Sequence, residues 1–247
     1  MIDEETLSRL RQMRLNGMAD CLIELGAPGW PGRLGAVEVI RMAVDREWER
    51  RRNAKLARLR HQAALAQPYA DPSDIRIVPG RDIDTEQIAR LAIGQYLTRR
   101  EDIILQGPTG AGKTYLACAL ANKACQDYKT VLYLRADDLF DKLTVAEKTD
   151  TRSQVLKRLV SLDLLIIDDW FLTPPTRDQV KHLHALIDRR TRAGSTIFCT
   201  QLPPSKWHDR MEEKILADAI IDRITAGAHT VTLTCTDSMR RHFTTHE

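Results

Sequence analysis

The stretch Gly107-Pro108-Thr109-Gly110-Ala111-Gly112-Lys113-Thr114 constrains this chain more than any other. It fits G-x-x-x-x-G-K-[ST]. An apolar run, Ile103 to Gln106, precedes it, and a helix-forming run follows to about Tyr128. A strand, a glycine-rich turn and a helix in that order make a loop whose backbone N–H groups can converge on an anion. The helix N-terminus adds a partial positive charge. Lys113 can reach β- and γ-phosphates, and the Thr114 hydroxyl suits Mg²⁺. Such a loop sits at the carboxyl end of a strand in a parallel sheet.

The rest of the second half agrees. Strands are predicted at 130–134, 163–168 and 195–200, with helices at 84–98, 137–143, 151–160, 176–192 and 216–224. Strands alternating with helices imply an α/β fold with a parallel sheet covered on both faces. The strands read as continuous apolar runs, as buried parallel strands do. Residues 1–66 differ. Leu7, Leu10, Met13, Met18, Leu22 and Leu25 recur at helical spacing over 4–25, with Gly17 expected to break the helix. A long helix is predicted over 36–66, with Val37, Ile40, Val44 and Trp48 on one stripe. The three prolines in 66–80 mark a linker. The expected organisation is a helical domain (1–66), a linker (67–80) and an α/β domain (81–247).

Mg²⁺ takes one or two carboxylates besides substrate phosphates. "LLIIDD" supplies them, Asp168 for the metal and Asp169 to orient or deprotonate an attacking water. Adjacent acids suit hydrolysis better than transfer to a bound acceptor. Strand 195–200 ends at Thr200 and Gln201, where a γ-phosphate-sensing group belongs, and Thr200 is the candidate. Arg223, on "LADAIIDRI", could reach a neighbouring subunit's γ-phosphate. Its alternative is a surface pair with Asp222 or Asp218. Arg189, Arg190 and Arg192 compete for that role from a helix expected to cover the sheet.

Charge is uneven. Residues 1–66 hold 12 Lys/Arg against 9 Asp/Glu, which accounts for the whole formal excess of +3. Arg46, Arg50, Arg51, Arg52, Lys55, Arg58 and Arg60 lie within 46–60 of one predicted helix, a segment whose acids are Glu47 and Glu49. Such a segment can neutralise DNA phosphates without reading sequence. The plainer reading is a solvated face softened by Glu47–Arg51 and Glu49–Arg52 pairs. No aromatic platform for single strands is visible, so the expected partner is duplex DNA. The cysteines are widely spaced and lack zinc-ligand spacing. Cys118 and Cys125 are expected in the core. No window approaches a membrane span, and "MIDEETLSRL" has no apolar leader, so a cytoplasmic setting is expected.

The motifs together resemble the IstB-type helper ATPases of insertion-sequence transposition, AAA+ proteins close to the DnaC helicase loaders. The resemblance rests on "LRQMRLNGMADCLIEL", "DREWERRRNAKLARLR", "GPTGAGKTYLACALA", "LLIIDDW", "TQLPPSKWHD", "LADAIIDRI" and "DSMRR". It implies a P-loop AAA+ core behind a small helical N-terminal domain, with ATP and Mg²⁺ as ligands. It also implies Asp169 as catalytic acid, Arg223 as an arginine finger acting in trans within a homo-oligomer, and Arg240 as a cis-acting sensor. The implied partners are duplex DNA and the transposase of the same element. Two departures stand out. The second acid is Asp where most AAA+ proteins carry Glu. Gln201 stands where many relatives carry Asn, so Thr200 and Gln201 both remain candidates for the sensor. Only a short segment follows Arg223, too little for a full helical lid. A DnaC-type helicase loader and, more distantly, a small-molecule kinase are the alternative readings. The kinase needs an acceptor pocket and usually a lid, and nothing after residue 192 supplies one.

Overall fold

The computed structural model describes residues 3–27, 34–75, 80–236 and 239. Two compact units divide the chain, Met1–Arg58 and Leu59–Glu247.

In the first unit, α1 (Glu4–Gln12) and α2 (Asn16–Leu25) form a helical hairpin, and α3 (Ala36–Ala63) begins here and runs past the division. Asp3 caps α1 by accepting the Thr6 amide. The break between α1 and α2 is not at Gly17. The chain turns at Arg14, which takes a left-handed φ of 59°. Gly17 lies inside α2 for a packing reason. A Cβ there would stand 2.9 Å from Glu47 Oε2 and 3.0 Å from the Glu47 Cα. The glycine therefore lets α2 and α3 touch backbone to backbone. The stripe Val37, Ile40, Val44 and Trp48 exists but faces outward, with Trp48 63% exposed. Ala43 and Glu47 form the buried side of α3 instead.

In the second unit the elements follow as β1 (Arg81–Asp82), α4 (Thr85–Ala92), α5 (Gln95–Arg99), β2 (Ile103–Gln106), α6 (Lys113–Gln126) and β3 (Val131–Arg135). Then come α7 (Ala136–Lys148), α8 (Arg152–Val160), β4 (Leu164–Trp170), α9 (Arg177–Arg190), β5 (Ser195–Thr200), α10 (Lys214–Thr225), β6 (His229–Thr232) and β7 (Thr234–Cys235). The expected helix over 84–98 is two helices, divided at Gly94, whose φ of 83° no helix accommodates. Thr176 and Gln179 close a capping box that starts α9.

The main sheet is fully parallel, in the order β3-β4-β5-β2-β6. Its apolar strands feed a continuous core with α7, α8, α9 and α10, closed at one end by Trp170, Phe171, Phe198 and Trp207. Strand β6, "HTVT", escapes a periodicity search because it lies at the sheet edge and buries only Val231. The short β1 and β7 pair antiparallel outside this sheet.

The proline-rich stretch after α3 does not behave as a free linker. Asn122, buried in α6, donates to the carbonyls of Pro68 (3.1 Å) and Ala70 (2.8 Å). The Asp71 amide donates to the Tyr115 hydroxyl at 3.4 Å. Residues 68–71 are thus fastened to the helix that follows the phosphate loop, and the unit division falls earlier, within α3.

Candidate nucleotide site

The loop 107–112 leaves β2 in a shape that only its glycines allow. Gly110 and Gly112 have φ of 84° and 92°. A Cβ on Gly107 would lie 2.2 Å from the Leu233 carbonyl oxygen, so the chain after β6 closes directly onto the loop. Met239 adds a second fastening, its amide donating to the Gly110 carbonyl at 2.9 Å. Lys113 opens α6, and its Nζ donates to the carbonyls of Gly107 and Pro108, both at 2.8 Å. Burial lowers the Lys113 pKa, while Asp168 and Asp169 oppose that shift. The cation is held at the loop mouth with little freedom, which suits a phosphate ligand.

The parallel register brings the strand ends together. Arg135, the last residue of β3, stands opposite Asp168 on β4. Asp168 is buried and central. Its Oδ2 accepts the hydroxyls of Thr114 (2.7 Å) and Tyr133 (2.8 Å), and its Oδ1 accepts the Asp169 amide (2.9 Å). Asp169 has a φ of 55°, as does Phe171, and the register between β4 and β5 shifts between Ile167 and Trp170. This kink turns the second acid out of the sheet. Its Oδ2 is forked by Arg135, at 3.1 Å from Nε and 2.8 Å from Nη2. Loop, acids and Arg135 line one cavity of about 720 Å³ together with Gln67, Tyr115, Tyr133 and Gln201. That volume is in the range of a nucleotide-sized ligand.

The convergence of the Thr114 hydroxyl and the Asp168 carboxylate fits a hard cation that keeps water and phosphate oxygens as its other ligands. Among the described residues there is no cluster of three or more metal-ligating side chains.

The other candidates divide. Gln201 lines the cavity, whereas Thr200 is fully buried and turned into its own loop, donating to the Leu202 carbonyl (3.0 Å) and accepting the Leu202 amide (3.1 Å). Of the two, geometry brings Gln201 to the cavity. Arg223 is not among the cavity-lining residues. It pairs with Asp188 on α9 at 2.9 Å, not with Asp222 or Asp218, and donates to the Ala219 carbonyl. Arg240 lies outside the described residues. Arg190 is removed from the competition. It is buried and donates to the carbonyls of Leu159, Leu162 and Ser195 and to Thr196 Oγ1, and burial pulls its pKa down to about 10.

The basic helix is partly spoken for. Arg46 pairs with Glu24 at 2.7 Å. Glu47, 5% exposed, accepts from Arg50 (2.8 Å), from Arg51 (2.6 Å) and from the Gly17 amide (2.7 Å). Arg50 and Arg51 also donate to the Arg14 carbonyl, capping the turn between α1 and α2. The Glu47–Arg51 pair expected from spacing is present, but as part of this node. Arg52, Lys55 and Arg58 continue along α3, and Arg60 falls in the second unit.

Sequence reasoning missed Tyr133 and Arg135, because "TVLYL" reads as one buried strand that ends at Leu134, just short of Arg135. Register offered a signal. In a parallel sheet, the last residues of the strand beside an acid-bearing strand must end near those acids.

Fold and site define a P-loop ATP-binding protein with an AAA+ core. Solved structures share that fold. The DnaC helicase loader matches with a TM-score of 0.56 at 17% identity, covering 67% of this chain and 97% of its own. DnaI matches with a TM-score of 0.56 at 21% identity, covering 67% and 92%. More specifically, the chain belongs to the IstB-like ATP binding proteins, whose family profile matches residues 8–246. An insertion sequence ATP-binding protein of Sinorhizobium fredii is 36% identical over 98% of both chains. A counterpart from Pseudomonas fluorescens is 38% identical over 83% of this chain and 89% of its own. Among the described residues no helix is long and apolar enough to cross a membrane.

Proposed function

We propose that this chain is an ATP-hydrolysing helper of transposition that assembles on duplex DNA and recruits or stimulates the transposase of its element. The observation that carries the ATPase part is the Thr114–Asp168 contact at 2.7 Å, which joins the phosphate loop to the acid strand in one cavity. In this reading the loop amides and Lys113 hold the β- and γ-phosphates. Thr114 and Asp168 would hold Mg²⁺, which would supply positive charge against the phosphates. Tyr133 fixes the Asp168 carboxylate. Asp169 orients water and accepts its proton. Gln201 is positioned to report on the γ-phosphate. Arg223 completes a neighbour's site in trans, leaving Asp188 to do so, and Arg240 acts as the cis sensor.

The transposition part is supported by family membership and by the insertion-sequence relatives. The DNA part rests on the basic face of α3 beyond the Glu47 node. Both belong to a cytoplasmic setting, where element and transposase meet. The test is ATP turnover by the full chain with and without duplex DNA, with particle size recorded in the same samples. The reading expects duplex DNA to gather subunits and raise turnover together. A helicase loader of the same core would instead respond to a replicative helicase and leave duplex DNA without effect on turnover or particle size.

A further inference from the structure

No role described so far uses the strap that follows α3, yet its Gln67 lines the nucleotide cavity beside Thr114, Tyr133 and Asp168. We propose that Gln67 is a water-orienting residue, whose side-chain carbonyl accepts a hydrogen bond from the attacking water, so that hydrolysis requires the strap to be seated on α6. The inference rests on the ATPase reading of the same cavity. In the step itself the water oxygen bonds to the γ-phosphorus, the bond from that phosphorus to the β-phosphate oxygen breaks, and one water proton passes to Asp169. Gln67 exchanges nothing and holds the other O–H.

Three observations support it. The first is that the strap is fixed in place. Ala64 ends α3 with a left-handed φ of 49°, and the chain then turns onto α6. The backbone of Ala66 and Gln67 lies against the Cys118 thiol. Asn122 holds the Pro68 and Ala70 carbonyls, and the Tyr115 hydroxyl accepts the Asp71 amide. All of these residues belong to the second unit. The second is reach. Cys118 follows Thr114 by one helical turn, a rise of about 5 Å. A glutamine side chain covers such a distance, and Thr114 in turn meets Asp168 at 2.7 Å. The Gln67 residue is exposed, so its amide is not consumed by the core. The third is chemistry. Oδ2 of Asp169 is already engaged by Arg135. One remaining carboxylate oxygen sets the distance of a water but not its direction. A second acceptor sets the direction, and an amide supplies it without adding negative charge beside the phosphates. Glutamine serves as the water-positioning group in other phosphate-loop hydrolases.

The test follows ATP turnover by the full-length wild type, Gln67→Met, Gln67→Glu, Asn122→Ala and the double variant of Gln67→Met with Asn122→Ala. Duplex DNA is present throughout, and binding of a non-hydrolysable ATP analogue is measured on the same preparations. Gln67→Met keeps the length and loses the acceptor, so kcat should fall about tenfold or more while analogue affinity holds. Gln67→Glu keeps an acceptor oxygen and adds a charge, so it should retain more of kcat than Gln67→Met and show a raised KM. Asn122→Ala releases the strap and should lower kcat in the same way. The double variant should be no worse than Gln67→Met alone, because both changes remove one group. Wild-type turnover in Gln67→Met would overturn the inference. So would a loss that appears in analogue affinity instead of kcat, or losses that multiply in the double variant. A wild type that binds the analogue and turns over no ATP would sink the ATPase reading itself and this one with it.

Discussion

Two carboxylates in this molecule are each gripped by arginine, and they behave as opposites. Glu47 is shut between α2 and α3, with Arg50, Arg51 and the Gly17 amide on it. Asp169 stands at a cavity wall with Arg135 on one oxygen and its side chain 32% exposed. A closed node whose acceptors are filled from several directions holds backbone together. A half-open pair beside a cavity keeps its acid within reach of whatever fills that cavity. The same residue types therefore build a scaffold in the helical unit and a cavity wall in the ATP-binding unit. Basic spacing along α3 alone does not single out the arginines that hold Glu47.

Substitution at each acid separates the two roles. Asp169→Asn should leave ATP bound and lower turnover by about 10²–10⁴-fold, the usual worth of a positioned general base. Its melting temperature should hardly move. Glu47→Ala should do the reverse, costing about 1–3 kcal/mol by stripping the Gly17 amide and two guanidiniums of their partner. Nucleotide affinity should persist. Unfolding curves and binding isotherms on the same preparations would expose any exchange of these roles.

Gly17→Ala attacks the node from the other side. Its Cβ would meet the Glu47 backbone at 3.0 Å, and the overpacking should cost about 1–3 kcal/mol, seen as faster amide exchange in α2. Acid acts on the same group. The Arg50 guanidinium, with Arg51 and the Gly17 amide, holds Glu47 down to about 2 from an ordinary 4.5. A depressed folded pKa gives stability that is fully present above 4.5 and drains away as pH falls toward 2. Protection of the α2 amides, taken relative to their intrinsic exchange rates, should fall across that window in the wild type and lose that pH dependence in Glu47→Gln.

The smallest effects concern DNA. Replacing Lys55 and Arg58 by Ala should weaken duplex binding alike at all sequences and reduce the salt slope by about 2. Arg50 and Arg51 are unsuitable for this purpose, since their loss would first disturb Glu47. A salt slope that stays put would assign the outer part of α3 to another role.

The phosphate loop, Asp168 and the parallel sheet were legible because local chemistry specifies them. Glycines at 110 and 112 are needed for positive φ, and apolar strands for a buried sheet. Tyr133 and Arg135 were not, because their importance arises from register between strands brought together by tertiary folding. Gly17 was legible as a special residue but misread as a breaker, because close approach to Glu47 is invisible from α2 alone. Strand β6 was missed for a related reason. An edge strand needs few apolar residues, so "HTVT" leaves no periodic trace.

We propose that each nucleotide site is shared, its loop in one subunit and Arg223 in the next. Lys113→Ala has a failed loop and a sound finger, and Arg223→Ala has the reverse. Each alone should turn over ATP poorly, the second by about 10³–10⁵-fold if the finger has its usual worth. The decisive measurement is the ATPase rate of the two variants mixed on duplex DNA, with co-assembly checked by particle size. Recovery of part of the wild-type rate is the predicted result, because some interfaces then pair an intact loop with an intact finger. A mixture that co-assembles and stays inactive would contradict the shared site and leave Arg223 as the partner of Asp188 alone.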